Sequence, residues 1–177
     1  VSMEIGKNLS TTSRPGLPPA EEVAIERAPS PVLRATLRLS ARAPRSLVFV
    51  LHGFKGFRDW GFFPFLGARL AEAGYAAVSA DFSRNGVGET RGVIDRLDRF
   101  ESNAISHEVE DVAALLAWAS GDERLRLLPI VLLGHSRGGA VALLAAAAEP
   151  RVRGVVALAP VADWTARFSP EDWERAT

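Results

Sequence analysis

Pro129-Ile130-Val131-Leu132-Leu133-Gly134-His135-Ser136-Arg137-Gly138-Gly139-Ala140-Val141-Ala142-Leu143-Leu144 is the stretch whose reading decides the fold. A short apolar run bounded by glycine reads as a buried strand, and the alanine- and leucine-rich segment at 140–149 reads as a helix. No linker separates the two, so the chain must reverse in a tight, strained turn centred on Ser136. Gly134 and Gly138 stand two positions either side of it, where larger side chains would collide across the turn. This is the G-x-S-x-G pattern that lifts one serine hydroxyl clear of a sheet and aims a helix N-terminus at developing negative charge. The competing reading is a glycine-rich turn with an incidental serine. A matching motif upstream favours the first reading.

That second motif is His52-Gly53-Phe54, which closes the apolar run Ser46-Leu47-Val48-Phe49-Val50-Leu51. An apolar strand ending in His-Gly-X and followed later by the serine turn resembles the α/β-hydrolase family. The run His52-Gly53-Phe54-Lys55-Gly56-Phe57-Arg58-Asp59-Trp60 is especially similar to small bacterial hydrolases of the dienelactone-hydrolase or peptidase-like branch. The resemblance extends over roughly 22–164. It implies that Ser136 is the nucleophile and that the backbone N–H groups of Phe54 and Arg137 form the oxyanion hole. Gly53 would let the chain approach the substrate, and His52 would hold the loop by hydrogen bonding. Gly134, His135 and Gly138 would support the turn.

The family orders its triad serine, acid, histidine. Here the three histidines are His52, His107 and His135, and none follows the serine. None occupies the position of a catalytic base. A single domain of this class runs to roughly 200–250 residues. The chain is therefore expected to be C-terminally incomplete, lacking its last strands, acid and base; a naturally histidine-free pseudoenzyme is the alternative. Asp163 follows the last visible strand, where some relatives place the triad acid, although a structural loop residue is the plainer reading.

Composition excludes several other classes. Apolar residues make up 47% and charged residues 24%, as in ordinary folded domains. The formal net charge is zero, which offers no electrostatic case for nucleic acid or an anionic membrane. No apolar run approaches the roughly 20 residues needed to span a bilayer. No signal-peptide pattern is visible, and cytoplasmic is the default expectation. With no cysteine there is no disulfide framework, thiolate nucleophile or cysteine-held metal. Dienelactone hydrolases carry cysteine where Ser136 stands, so the chain departs from them there. No cofactor or metal is implied.

Residues 1–20 read as a mobile tail and 21–177 as the hydrolase-type domain. Strands at 22–27 and 32–40 flank the turn Ala28-Pro29-Ser30-Pro31, giving an antiparallel hairpin. The 46–51 strand leads to a helix at 62–73, ended by Gly74, and then a strand at 75–80. A polar loop is expected over 82–101. Ser106 is the expected cap of a helix reaching 120, with Glu108, Glu110 and Asp111 in its first turn and Val109, Val112, Ala113 and Leu116 as its buried stripe. After the serine turn, a strand at 153–158 is the last visible. Strands alternating with helices predict an α/β fold, a mostly parallel sheet covered on both faces. The run Gly154-Val155-Val156-Ala157-Leu158-Ala159 carries no charge, so an uncovered edge there would promote self-association.

Among the remaining polar residues, Asp81 ends a strand and is expected to hold a neighbouring loop. His107 and Glu108 read as a solvated helix start, not a metal site. Lys55, Arg58 and Arg84 lie where ligands bind in this architecture, but solvated surface charge is the plainer reading. Asn85-Gly86-Val87-Gly88 is too short and misplaced for a dinucleotide site. The sequence thus predicts a serine hydrolase that forms an acyl-enzyme on a small carboxylic ester or related acyl compound. A peptidase or thioesterase on the same scaffold, or a non-catalytic ligand-binding relative, are the alternatives.

Overall fold

A computed structural model describes residues 19–163. The expected tail up to residue 18 and everything from Trp164 onward lie outside the described residues. Six strands form one sheet: β1 (Glu21–Arg27), β2 (Ser30–Arg38), β3 (Leu47–Leu51), β4 (Ala76–Ala80), β5 (Ile130–His135) and β6 (Val152–Leu158), in the spatial order β1-β2-β4-β3-β5-β6. The β1–β2 hairpin is antiparallel and β2 joins β4 antiparallel, whereas β4, β3, β5 and β6 run parallel. The helices are α1 (Phe63–Glu72), α2 (Leu97–Glu101), α3 (Ile105–Gly121) and α4 (Arg137–Ala148).

The central strand β3 is a continuous apolar run because both of its faces are covered. In β3, Leu47, Phe49 and Leu51 join a core with Leu115 and Leu116 of α3 and Val141 of α4. The alternate residues Val48 and Val50 pack on the opposite face with Phe63 of α1. The two-residue side-chain period of a strand thus sorts five consecutive apolar residues into two cores. Helix α1 ends as expected at Gly74, whose φ is +90°. There the Gly74 and Tyr75 amides return to the carbonyls of Ala71 and Leu70 at 3.1 and 3.0 Å.

Three local expectations are corrected. Helix α3 starts at Ile105 with Ala104 as its cap, so Ser106 lies inside the first turn and caps nothing. Its buried residues are Glu108, Asp111, Val112, Leu115, Leu116, Trp118 and Ala119, and Ala113 is exposed. The expected polar loop over 82–101 contains α2 and a bridge between Val87 and Ile94, and it buries Phe82, Ser83 and Asn85.

Candidate functional site

At the carboxyl edge of the sheet β5 runs directly into α4, and Ser136 takes the turn with φ +54° and ψ −120°. A non-glycine residue reaches that region only when its surroundings hold it there. The Ser136 amide donates to the Leu158 carbonyl at 2.9 Å, and its carbonyl accepts from Gly139 at 3.0 Å and Val161 at 3.3 Å. Both flanking glycines are required by space. A Cβ at position 134 would stand 2.2 Å from the Gly138 carbonyl oxygen, and one at 138 would stand 2.3 Å from that of His52. Gly138 therefore seats the turn directly on the end of β3.

The loop after β3 lies against the serine. A Cβ at position 53 would meet the Ser136 Cβ at 3.1 Å and the His135 carbonyl oxygen at 3.2 Å. The amides of Phe54 and Arg137 donate to no acceptor among the described residues. His52 is buried, and its Nε2 accepts from the Phe82 amide at 3.1 Å. A backbone N–H can only donate, so the proton sits on Nδ1, which donates to the Gly53 carbonyl at 2.8 Å. Burial lowers the His52 pKa, with the Asp81 carboxylate pulling the other way, and the ring is neutral. The Gly56 amide reaches the same Gly53 carbonyl at 3.0 Å, closing a turn in which Lys55 has φ +58°.

A buried charge network fastens this loop. Arg58 donates from its backbone amide to Asp81 Oδ1 at 2.7 Å and from Nη1 to Oδ2 at 2.5 Å. Its Nη2 donates to Glu22 of β1 at 2.8 Å. Asp81 thus holds the loop as expected, but Arg58 is no solvated surface charge: it is buried and ties the loop to β1 and β4. The Asn85 amide nitrogen donates to the Gly56 carbonyl at 3.3 Å, while its oxygen accepts from the Val87 amide at 3.0 Å. Asn85 thus supports the loop after β3, a role signalled in the sequence only by the Asn-Gly pair just past a strand.

Glu108 is corrected in the same sense. It is buried, accepting from Arg137 Nε at 2.9 Å and from Asn103 Nδ2 at 2.8 Å. Burial raises its pKa, while Arg137 opposes that shift. No group of three or more histidine, cysteine or acidic residues suited to a metal occurs among the described residues. His135 is ringed by Trp60, Phe62 and Phe63, with centroids 6.1–6.4 Å away. No hydrogen bond joins Ser136 to His52, His107 or His135. Asp163 lies exposed two residues beyond Val161. Lys55 is exposed, and Arg84 donates to the Ser102 hydroxyl at 2.7 Å.

Comparison with known proteins places the fold in a family. A family model described as serine aminopeptidase, S33, matches residues 42–177. The chain belongs to this α/β-hydrolase family. An Escherichia coli relative, the uncharacterized 31.7 kDa protein of the traX-finO intergenic region, is 32% identical over 117 residues, covering 66% of this chain and 38% of that protein. The chain therefore spans well under half the length of that relative. Dienelactone hydrolase from Anabaena variabilis superposes with TM-score 0.63 at 24% identity, covering 78% of this chain and 62% of that one. Est1E from Butyrivibrio proteoclasticus gives 0.62 at 22%, covering 78% and 51%. A cold-adapted esterase from an Arctic intertidal metagenomic library gives 0.68 at 16%, covering 86% and 65%. At these identities the likeness establishes the α/β-hydrolase fold. Among the described residues no helix is long and apolar enough to cross a membrane.

Proposed function

We propose that this α/β-hydrolase is a serine hydrolase acting on a small carboxylic ester or related acyl compound. The observation that carries the reading is Ser136 at φ +54° in the strand-to-helix turn, pressed against Gly53 of the loop after β3. Ser136 Oγ attacks the acyl carbon while its proton passes to a general base. The carbonyl electrons move onto oxygen, which the Phe54 and Arg137 amides receive as an oxyanion. Collapse expels the alcohol, which takes the proton from the base and leaves an acyl-enzyme for water to hydrolyse. His52 is neutral with both ring nitrogens engaged, and His135 is partly buried beside Trp60, Phe62 and Phe63. Among the described residues Asp163 is the candidate for the acid that pairs with the base.

Backbone donors suit the oxyanion because the fold fixes them before reaction. Gly53 supports this: His52 Nδ1–H and the Gly56 amide both bind its carbonyl, which fixes the plane of the peptide carrying the Phe54 N–H. The test is hydrolysis of p-nitrophenyl acetate and butyrate by the intact protein beside Ser136→Ala. Turnover that survives the substitution contradicts the reading. A peptidase on the same scaffold is favoured by the family description, and cleavage of aminoacyl p-nitroanilides in preference to esters would identify it.

A further inference from the structure

The residues carrying the two proposed oxyanion donors are also linked through their side chains. The Arg137 guanidinium carbon lies 5.8 Å from the centroid of the Phe54 ring. Phe100 packs against that ring at 5.5 Å, and the Lys55 ammonium stands 5.6 Å from its centroid. On its other side Arg137 donates from Nε to Glu108 Oε2 at 2.9 Å, while Asn103 donates to Oε1 at 2.8 Å. A continuous chain of contacts thus runs from α3 through Glu108 and Arg137 to the loop after β3.

Placing Glu108 here has a cost. It heads the inward stripe of α3, where an apolar residue would extend the core, and it is only 3% exposed. A buried ion pair is a weak source of net stability, since desolvation offsets most of the Coulomb gain. What the pair supplies is direction. A guanidinium gripped at Nε has its plane fixed, and a cation over an aromatic face holds the ring in turn.

We propose that Glu108 is a positioning residue: by holding Arg137 over the Phe54 ring it sets the spacing between the Phe54 and Arg137 amides, and hence the fit of the oxyanion. This rests on Ser136 being the nucleophile. Sub-ångström misplacement of a donor degrades transition-state binding far more than substrate binding, so the signature is a loss in kcat with KM retained.

The experiment compares wild type, Glu108→Gln, Phe54→Leu and the double variant in the intact protein. It measures kcat and KM for p-nitrophenyl butyrate, inhibition by a trifluoromethyl ketone (whose hemiketal mimics the oxyanion) and the melting temperature. Each single variant is expected to lower kcat about tenfold and to weaken the ketone comparably, with KM within about twofold. The double variant should be little worse than either single one, because both break one chain of contacts. Wild-type kcat in Glu108→Gln, or additive losses, overturns the proposal. So does a lower melting temperature with kcat and ketone affinity unchanged, which is what a purely structural role gives. Phe54 is exposed, so Phe54→Leu keeps the test open if Glu108→Gln does not fold; wild-type kcat in it also overturns the proposal. Undiminished turnover in Ser136→Ala would sink the nucleophile reading and this inference together. An inactive Ser136→Ala beside a fully active Glu108→Gln sinks this inference alone.

Discussion

Arg58 grips Asp81 twice, through its backbone amide at 2.7 Å and its guanidinium at 2.5 Å, with both side chains 8% exposed. The pair joins the loop that faces Ser136 to the end of β4, and Glu22 extends it to β1. Removing one partner leaves a buried charge uncompensated. Arg58→Ala is expected to destabilise the fold by about 3–5 kcal/mol in urea unfolding. Arg58→Lys should recover only part of this, since a lysine cannot serve Asp81 and Glu22 with one planar fork. A loss below about 1 kcal/mol would mean that the pair is solvated in solution.

Glycines at the turn and in the sheet should differ sharply. Gly138→Ala drives a methyl into backbone atoms of His52 and Leu51. Overpacking against backbone costs about 1–3 kcal/mol or more. Gly154→Ala in β6 meets nothing within 4 Å and should change stability by no more than about 0.5 kcal/mol. Equal effects in thermal melts would contradict the described seating of α4 on β3.

His52 gives a pH dependence of defined sign. Burial depresses its folded-state pKa, so the neutral ring favours the fold above the unfolded value of about 6.5. Below that, the unfolded chain gains a proton that the folded chain refuses, and stability falls by up to about 1.4 kcal/mol per pH unit until the folded-state pKa is reached. Glu108 and Asp111, raised by burial, act in the opposite sense, losing stability as pH rises through their folded values. The comparison that isolates His52 is therefore wild type minus His52→Gln. That difference should shrink as pH drops from 7 to 5; a constant difference would place the histidine in water.

In the described sheet β6 is an outer strand, with Val156 43% and Leu158 39% exposed. From Gly154 onward this edge is apolar, with Arg153 near its start as its one charge, and such an edge templates pairing. Residues 1–177 expressed alone are expected to self-associate with rising concentration in light scattering, and Val156→Lys should reduce it. A monomer at all concentrations would contradict this.

The serine turn was legible because its constraints are local: glycines at fixed offsets and a change from strand to helix chemistry within a few residues. The Arg58 network was legible only in part: Asp81 at a strand end was expected to hold a loop, but Glu22, Arg58 and Asp81 are far apart in sequence and Arg58 alone reads as a solvated charge. Helix α3 shows the same limit. Its inward positions begin with Glu108 and Asp111, so a hydrophobic pattern passes over them and settles on Val109 and Ala113. The partners that permit burial, Arg137 and Arg27, come from α4 and β1. Helix α2, only five residues long and without a fully buried residue, offers no periodic signal at all.

The central claim is that Ser136 is an activated nucleophile. The most direct measurement is treatment of the intact protein with a fluorophosphonate, followed by peptide mass spectrometry. One stoichiometric adduct on Ser136 is expected, absent in Ser136→Ala and slowed in Glu108→Gln. An unmodified Ser136, or an adduct on another residue that persists in Ser136→Ala, would contradict it.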